Sequence, residues 1–151
     1  MRGYAFAFLR RNGAPLPGTN YGGHLSWGFL DMNGHYYFGS TENQSGSPLI
    51  LPGQNNGWWG MNGTEQDMYR EMAARNYDGY KVIVVQNPNP TKAWNTALDT
   101  KGRGFAGIFN NCLDHTYDVL EHYGVIGMPW KQTHPAPNDW FGSLNGEFHN
   151  L

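Results

Sequence analysis

Apolar and polar positions along the chain follow two periods, and the changes of period mark the elements. Tyr4, Phe6 and Phe8 alternate with Ala5 and Ala7, a period of two that predicts a strand over residues 4–9 with one bulky face. The turn-rich Arg11-Asn12-Gly13-Ala14-Pro15 ends it. Leu25, Trp27 and Phe29 then alternate with His24, Ser26 and Gly28. The large residues suit a core, and the small face leaves room for a substrate above it. Asn33-Gly34 is a strong hairpin-turn signal and predicts a return strand over residues 35–40. Residues 45–63 are rich in Gly, Pro and Asn and carry Trp58-Trp59, which reads as a long surface loop.

The period then lengthens. Thr64 reads as a helix N-cap with Asp67 at the third helical position, and Met68, Met72 and Ala73-Ala74 give that helix an apolar stripe. Residues 80–85, Tyr-Lys-Val-Ile-Val-Val, predict a buried strand, closed by Asn87-Pro88-Asn89-Pro90. Thr91 predicts the cap of a short helix through Leu98. The apolar run 105–109 leads into Asn110-Asn111-Cys112 and the best helix of the chain, residues 112–123. Leu113, Tyr117 and Leu120 share a face there, and Gly124 closes it. A further short helix is expected near residues 138–141. Helices and strands mix without a βαβ rhythm, which predicts an α+β fold. There is no internal repeat and no composition break, so residues 1–151 read as a single domain.

Composition narrows the function. One Cys among 151 residues excludes a disulfide framework and Cys-rich zinc modules. A net charge of -2 gives no footprint for nucleic acid. Aromatics at 15% argue against a disordered chain. No apolar run reaches the ~20 residues of a membrane span. The apolar start stops at Arg10-Arg11 with no small-residue cleavage site. The expected setting is cytoplasmic, or exported without a cleavable signal peptide. No cofactor and no metal are expected, and the oligomeric state is not legible.

The single cysteine carries the chemistry. At a helix start, unpaired N–H groups and the positive dipole end favour a thiolate and can receive an oxyanion. A lone Cys is otherwise a small buried hydrophobe. A nucleophilic Cys needs a base, and His24 is the candidate. His35 sits at the hairpin turn and reads as exposed. His115, three residues after Cys112, shares its helix face and would either touch the thiol or be solvated. His122, His134 and His149 have no supporting context. A two-residue turn at Asn33-Gly34 would put Asn43 across from His24, and a three-residue turn Glu42. Either would hold the far imidazole nitrogen. Glu42 is favoured, as the stronger partner of an imidazolium, with Asn43 in reserve.

Gly23-His24-Leu25-Ser26-Trp27-Gly28-Phe29 on a strand, with Asn111-Cys112 opening a helix far downstream, resembles the circularly permuted papain-like cysteine proteins. These include the lecithin:retinol acyltransferase group and permuted NlpC-type relatives. The resemblance spans roughly residues 24–124. It implies a small antiparallel sheet packed against helices, His and a third polar residue on neighbouring strands, and the nucleophile last at a helix N-terminus. The order His24, Glu42 or Asn43, Cys112 matches. Asn111-Cys112 resembles the start of the acyltransferase group's Asn-Cys-Glu-His-Phe, where Leu113-Asp114-His115 follows here. His35 stands near the place of that group's second His.

The function implied is a thiol hydrolase acting on an amide or peptide bond, with peptidoglycan-type and isopeptide bonds in that class. Asn111, or Asn110, would add a second oxyanion donor unless Asn111 is the helix N-cap. Asn43, Trp58 and Trp59 complete the substrate side. The alternatives are a thiol acyltransferase, and a non-catalytic glycan- or peptide-binding module that uses Trp58, Trp59, Trp130 and Trp140 as stacking platforms. A zinc site on Cys112, His115, His24 and Glu42 and an inactive scaffold are the remaining readings.

Overall fold

Strands β1 (Gly3–Arg10) and β2 (His24–Leu30) form the centre of the molecule, and their side chains explain why they pair. In their antiparallel register Phe6 lies opposite Gly28 and Phe8 opposite Ser26, while Ala7 faces Trp27 and Ala5 faces Phe29. Each of these four bulky residues meets a small one on the same face, so the faces fill there without overlap. The computed structural model describes residues 1–12, 22–107 and 110–151. The end of the turn expected after Arg11 and the end of the 105–109 run lie outside the described residues.

Around this pair the chain builds β3 (Tyr36–Thr41), β4 (Leu49–Ile50), β5 (Trp58–Gly63), α1 (Glu65–Ala74), β6 (Gly79–Val85) and α2 (Pro90–Lys101). Then follow β7 (Phe105–Ala106), α3 (Cys112–Tyr123), α4 (Pro137–Ser143) and β8 (His149–Asn150). The main sheet is six-stranded in the order β5-β3-β2-β1-β6-β8, with every neighbouring pair antiparallel. β4 and β7 form a separate two-stranded piece. The α+β reading holds. No helix among the described residues is long and apolar enough to cross a membrane.

Each face of the sheet has its own core. Ala5, Ala7, Leu25, Trp27 and Phe29 pack with residues of α2, α3 and α4, including Ala93, Leu113, Leu120 and Trp140. Phe6, Phe8 and Phe38 pack on the other face with Met68 and Met72 of α1 and with Tyr77. Both methionines are completely buried, worth roughly 1.5–3 kcal/mol each. This corrects the expectation of an open substrate face above Ser26 and Gly28. Ser26 Oγ donates to Met72 Sδ at 3.3 Å, and a Cβ on Gly28 would come within 2.8 Å of Met68 Sδ. The small residues make room for α1.

Helix boundaries follow local chemistry. Thr64 and Asp67 form a capping box at α1, and Asn111 and Asp114 form another at α3. The start expected at Thr91 moves to Asn89. Its side chain accepts from the Lys92 N–H, and Pro90 takes the first turn, where its missing N–H costs nothing. The surface loop expected over residues 45–63 is also corrected, because its last six residues are strand β5, paired with β3. Its glycines serve packing. Gly60 lies opposite Gly39, and a Cβ on Gly60 would stand 2.7 Å from the Trp58 ring.

Candidate active site

The hairpin register decides the partner of His24. Trp27 pairs with Gly39 and Leu30 with Tyr36, and the Asp31 N–H donates to the His35 carbonyl at 2.8 Å. The turn is therefore the three residues Met32, Asn33 and Gly34, with Gly34 at φ +81°, the left-handed position such loops require. Continued toward the open ends of the strands, this register puts His24 across from Glu42. The side chains meet: His24 Nε2 lies 2.9 Å from Glu42 Oε2.

Glu42 is held by four donors. Oε2 takes His24 Nε2 and, at 3.2 Å, Arg10 Nη1. Oε1 takes Trp59 Nε1 at 2.9 Å and the Tyr77 hydroxyl at 3.0 Å. Burial by itself would push this carboxyl up. The hydrogen bond and charge of His24, then the Arg10 guanidinium and the Trp59 N–H, hold it well below the usual carboxylate range. Arg10, opposite His24 in the β1–β2 register, donates from Nε to the Arg75 carbonyl at the end of α1 at 3.1 Å. Its guanidinium lies 4.4 Å from the centroid of the Tyr77 ring, and that of Arg75 lies 3.7 Å from the Trp59 ring.

His24 is buried, and its Nε2 also meets Ser40 Oγ at 2.9 Å. Ser40 spends its own proton on the Leu25 carbonyl, so it faces the imidazole as an acceptor. With Nε2 engaged by Glu42 and Ser40, Nδ1 is the ring nitrogen that neither of them takes. Burial alone would lower the His24 pKa. The charge and hydrogen bond of Cys112, followed by those of Glu42, raise it from 6.5 to about 9. The arrangement favours an imidazolium at His24 facing the Glu42 carboxylate.

Cys112 is the first residue of α3 and is 6% exposed. Asn111 Oδ1 accepts from the N–H groups of Leu113 and Asp114, and the Asn111 carbonyl accepts from His115. Among the described residues, none of these acceptors takes the Cys112 N–H, a first-turn donor of the kind that can receive an oxyanion. Of the two roles expected for Asn111, the structure gives it the helix N-cap. Its Nδ2 donates to the Gly107 carbonyl at 3.0 Å, and Asn110 Nδ2 donates to the Arg103 carbonyl at 2.7 Å.

Three other expectations change. Asn43 does not reach His24: it takes a left-handed conformation, φ 46°, and its Nδ2 donates to the Ser47 carbonyl. His115 is neither against the thiol nor solvated. It is 1% exposed, with Nδ1 2.8 Å from Thr41 Oγ1 and Nε2 2.5 Å from Asn110 Oδ1. Trp58 and Trp59, neighbours on a strand, do not form one stacking platform. Trp59 serves Glu42, while Trp58 donates to the Ala97 carbonyl at 2.9 Å and packs near Trp94. Trp58 also lines an open depression of about 470 Å³ with Leu98 and Lys101. His35 is exposed, as its turn position implied.

Sequence reasoning missed Arg10, Ser40 and Tyr77, and missed what Trp59 does. Ser40 shares the strand face of Glu42 and was within reach of a period-two count. Arg10 and Tyr77 arrive from other elements, and only the pairing of β1 with β2 and the chain path after α1 bring them in. Among the described residues, no group of three or more His, Cys, Asp or Glu side chains is arranged to hold a metal ion. Comparison of the chain with protein-family models, curated proteins and solved structures gives no match.

Proposed function

We propose that this chain is a thiol hydrolase of the permuted papain-like kind, cleaving an amide or peptide bond with Cys112 as nucleophile, His24 as acid and base, and Glu42 as orienter. The observation that carries the reading is the His24–Glu42 contact, two nearly buried groups at 2.9 Å, with Cys112 the first influence that raises the His24 pKa. A structural ion pair has no need of a thiol on its far side at a helix N-terminus.

The chemistry follows from the geometry. The thiolate attacks the carbonyl carbon, and the Cys112 N–H receives the oxyanion. The His24 imidazolium gives its Nδ1 proton to the leaving amine as the C–N bond breaks. The neutral imidazole then takes a proton from water, which attacks the thioester and releases the acid and the thiolate. Glu42 keeps the proton on Nε2 throughout and stabilises each imidazolium.

The test is the pH dependence of iodoacetamide alkylation, followed by mass spectrometry. Alkylation confined to Cys112, still fast near pH 6 and abolished in Cys112→Ala, is the expected result. A rate that falls about tenfold per pH unit below ~8.5, as for a free thiol, overturns the reading. A glycan- or peptide-binding module would keep its affinity in Cys112→Ser. An acyltransferase would pass the acyl group of an activated ester to an added amine faster than to water.

A further inference from the structure

We propose that His115 is a positioning residue of this site, setting where Cys112 stands relative to His24 by clamping the first turn of α3 to Thr41 on one side and to Asn110 on the other. The inference rests on the reading of Cys112 as a nucleophile activated by His24.

His115 lies one turn after Cys112, and its ring is 1% exposed. A buried interface between a helix and a sheet is ordinarily filled by an apolar side chain. Here it holds an imidazole with both nitrogens engaged, Nδ1 at 2.8 Å from Thr41 Oγ1 and Nε2 at 2.5 Å from Asn110 Oδ1. The Asn110 amide is oriented by its Nδ2, which donates to the Arg103 carbonyl. Its Oδ1 can therefore only accept, so His115 Nε2 carries the proton and Nδ1 accepts from the Thr41 hydroxyl. One tautomer fits.

The two partners are the neighbours of the chemistry. Thr41 precedes Glu42 on the strand that orients His24, and Asn110 precedes the N-cap of the helix that carries Cys112. Asn110 is itself fixed by paired backbone hydrogen bonds with Ala106, at 2.9 and 3.1 Å. The helix cannot slide or turn against β3 without breaking a directed bond between buried groups and leaving a buried polar group unsatisfied. A leucine would fill the space and leave that rotation free.

The charge state suits a fixed bridge. Burial first, and then the positive charges of Arg103 and Lys131, lower the His115 pKa to about 4 against the opposing effect of Asp118 and Asp99. The ring stays neutral wherever the ion pair of His24 and Cys112 operates. Its role is thus geometric, separate from the proton transfers assigned to His24.

The experiment compares the pH profile of iodoacetamide alkylation in the wild type, His115→Leu, His115→Gln and Tyr123→Phe. Tyr123 is the polar tie at the other end of α3, donating to the Leu30 carbonyl at 2.9 Å and accepting from the Tyr4 N–H at 3.2 Å. His115→Leu is expected to slow alkylation near pH 6 by about tenfold or more, the scale of a small misplacement of reacting groups. His115→Gln, which can still donate to Asn110, should recover part of the rate. Tyr123→Phe should lower the melting temperature without moving the profile, which separates positioning from general stability. If His115→Leu does not fold, Thr41→Val removes one end of the bridge with little change of volume and should shift the profile in the same direction. A wild-type profile in a folded His115→Leu or Thr41→Val overturns the positioning role alone. A free-thiol profile in the wild type itself overturns the nucleophile reading and this proposal with it.

Discussion

His24 and Glu42 stand across from each other at the open end of the β2–β3 pair, with Nε2 and Oε2 2.9 Å apart and both side chains under a tenth exposed. Two charged groups are rarely withdrawn from water together, because each loses several kcal/mol of solvation. Here the loss is met by partners: Glu42 accepts three hydrogen bonds, one on Oε2 and two on Oε1, and pairs through Oε2 with the His24 ring. The carboxylate is thereby kept ionised, and its field falls on the His24 imidazole.

Glu42→Gln removes that field while keeping the shape. The His24 pKa should drop from about 9 toward its ordinary 6.5, and alkylation of Cys112 near pH 7 should slow by about tenfold to a hundredfold, corresponding to 1.4–3 kcal/mol lost. NMR titration of the His24 ring measures the first effect and the alkylation rate the second. An unchanged rate would assign Glu42 to stability alone.

The cage around Glu42 should behave as one unit. Tyr77→Phe and Trp59→Phe each remove one donor to Oε1, and each should cost about 1–3 kcal/mol of stability. Because the two donors share an acceptor, the double variant should lose less or more than the sum by at least ~0.5 kcal/mol. Urea unfolding of the four proteins measures the coupling. Strict additivity would mean that the two bonds are independent.

The two buried histidines should shape stability on opposite sides of neutrality. The folded pKa of His24 is raised to about 9, so its contribution is complete below 6.5 and is lost as pH rises through 9. The folded pKa of His115 is lowered to about 4, so the unfolded chain takes up its proton first. That contribution is present above 6.5 and is lost as pH falls toward 4. Each limb is worth at most a few kcal/mol. Thermal melts across this range should peak near neutral pH. His115→Gln should flatten the acid limb, and Cys112→Ala, which removes the largest raising influence on His24, the alkaline one.

Asn43 supplies the contrasting case. Its left-handed backbone and its bonds to residues 45 and 47 make it a loop-forming residue. Asn43→Gly suits the same backbone angle and should leave the alkylation rate within about twofold, with a stability loss of order 1 kcal/mol. A large fall in rate would restore Asn43 as a partner of the site.

Periodicity read the strands and helices well where one face had to be buried. Residues 112–123 were legible as a helix because Asn111 can cap, Leu113, Tyr117 and Leu120 line up, and Gly124 stops the turn. It failed at β5, where Gly60, Asn62 and Gly63 carry the composition of a loop. There Gly60 is needed because the rings of Trp58 and Trp94 close over it, and Gly63 because the Asp67 side chain does. Those contacts depend on how the rings and α1 pack, so no local pattern reveals them.

For the candidate site, the chain order by itself determined the cysteine at a helix start, the histidine on a strand and the two alternatives opposite that histidine. These are consequences of local chemistry: N-cap geometry, alternation and hairpin register. The tertiary structure decided everything that depends on distant segments meeting. It chose Glu42 through a three-residue turn, surrounded it with Arg10, Trp59 and Tyr77 from three other elements, and turned His115 away from the thiol toward Thr41 and Asn110. Hydrogen bonds between buried groups act over about 3 Å, and only the folded chain brings residues tens of positions apart within that range.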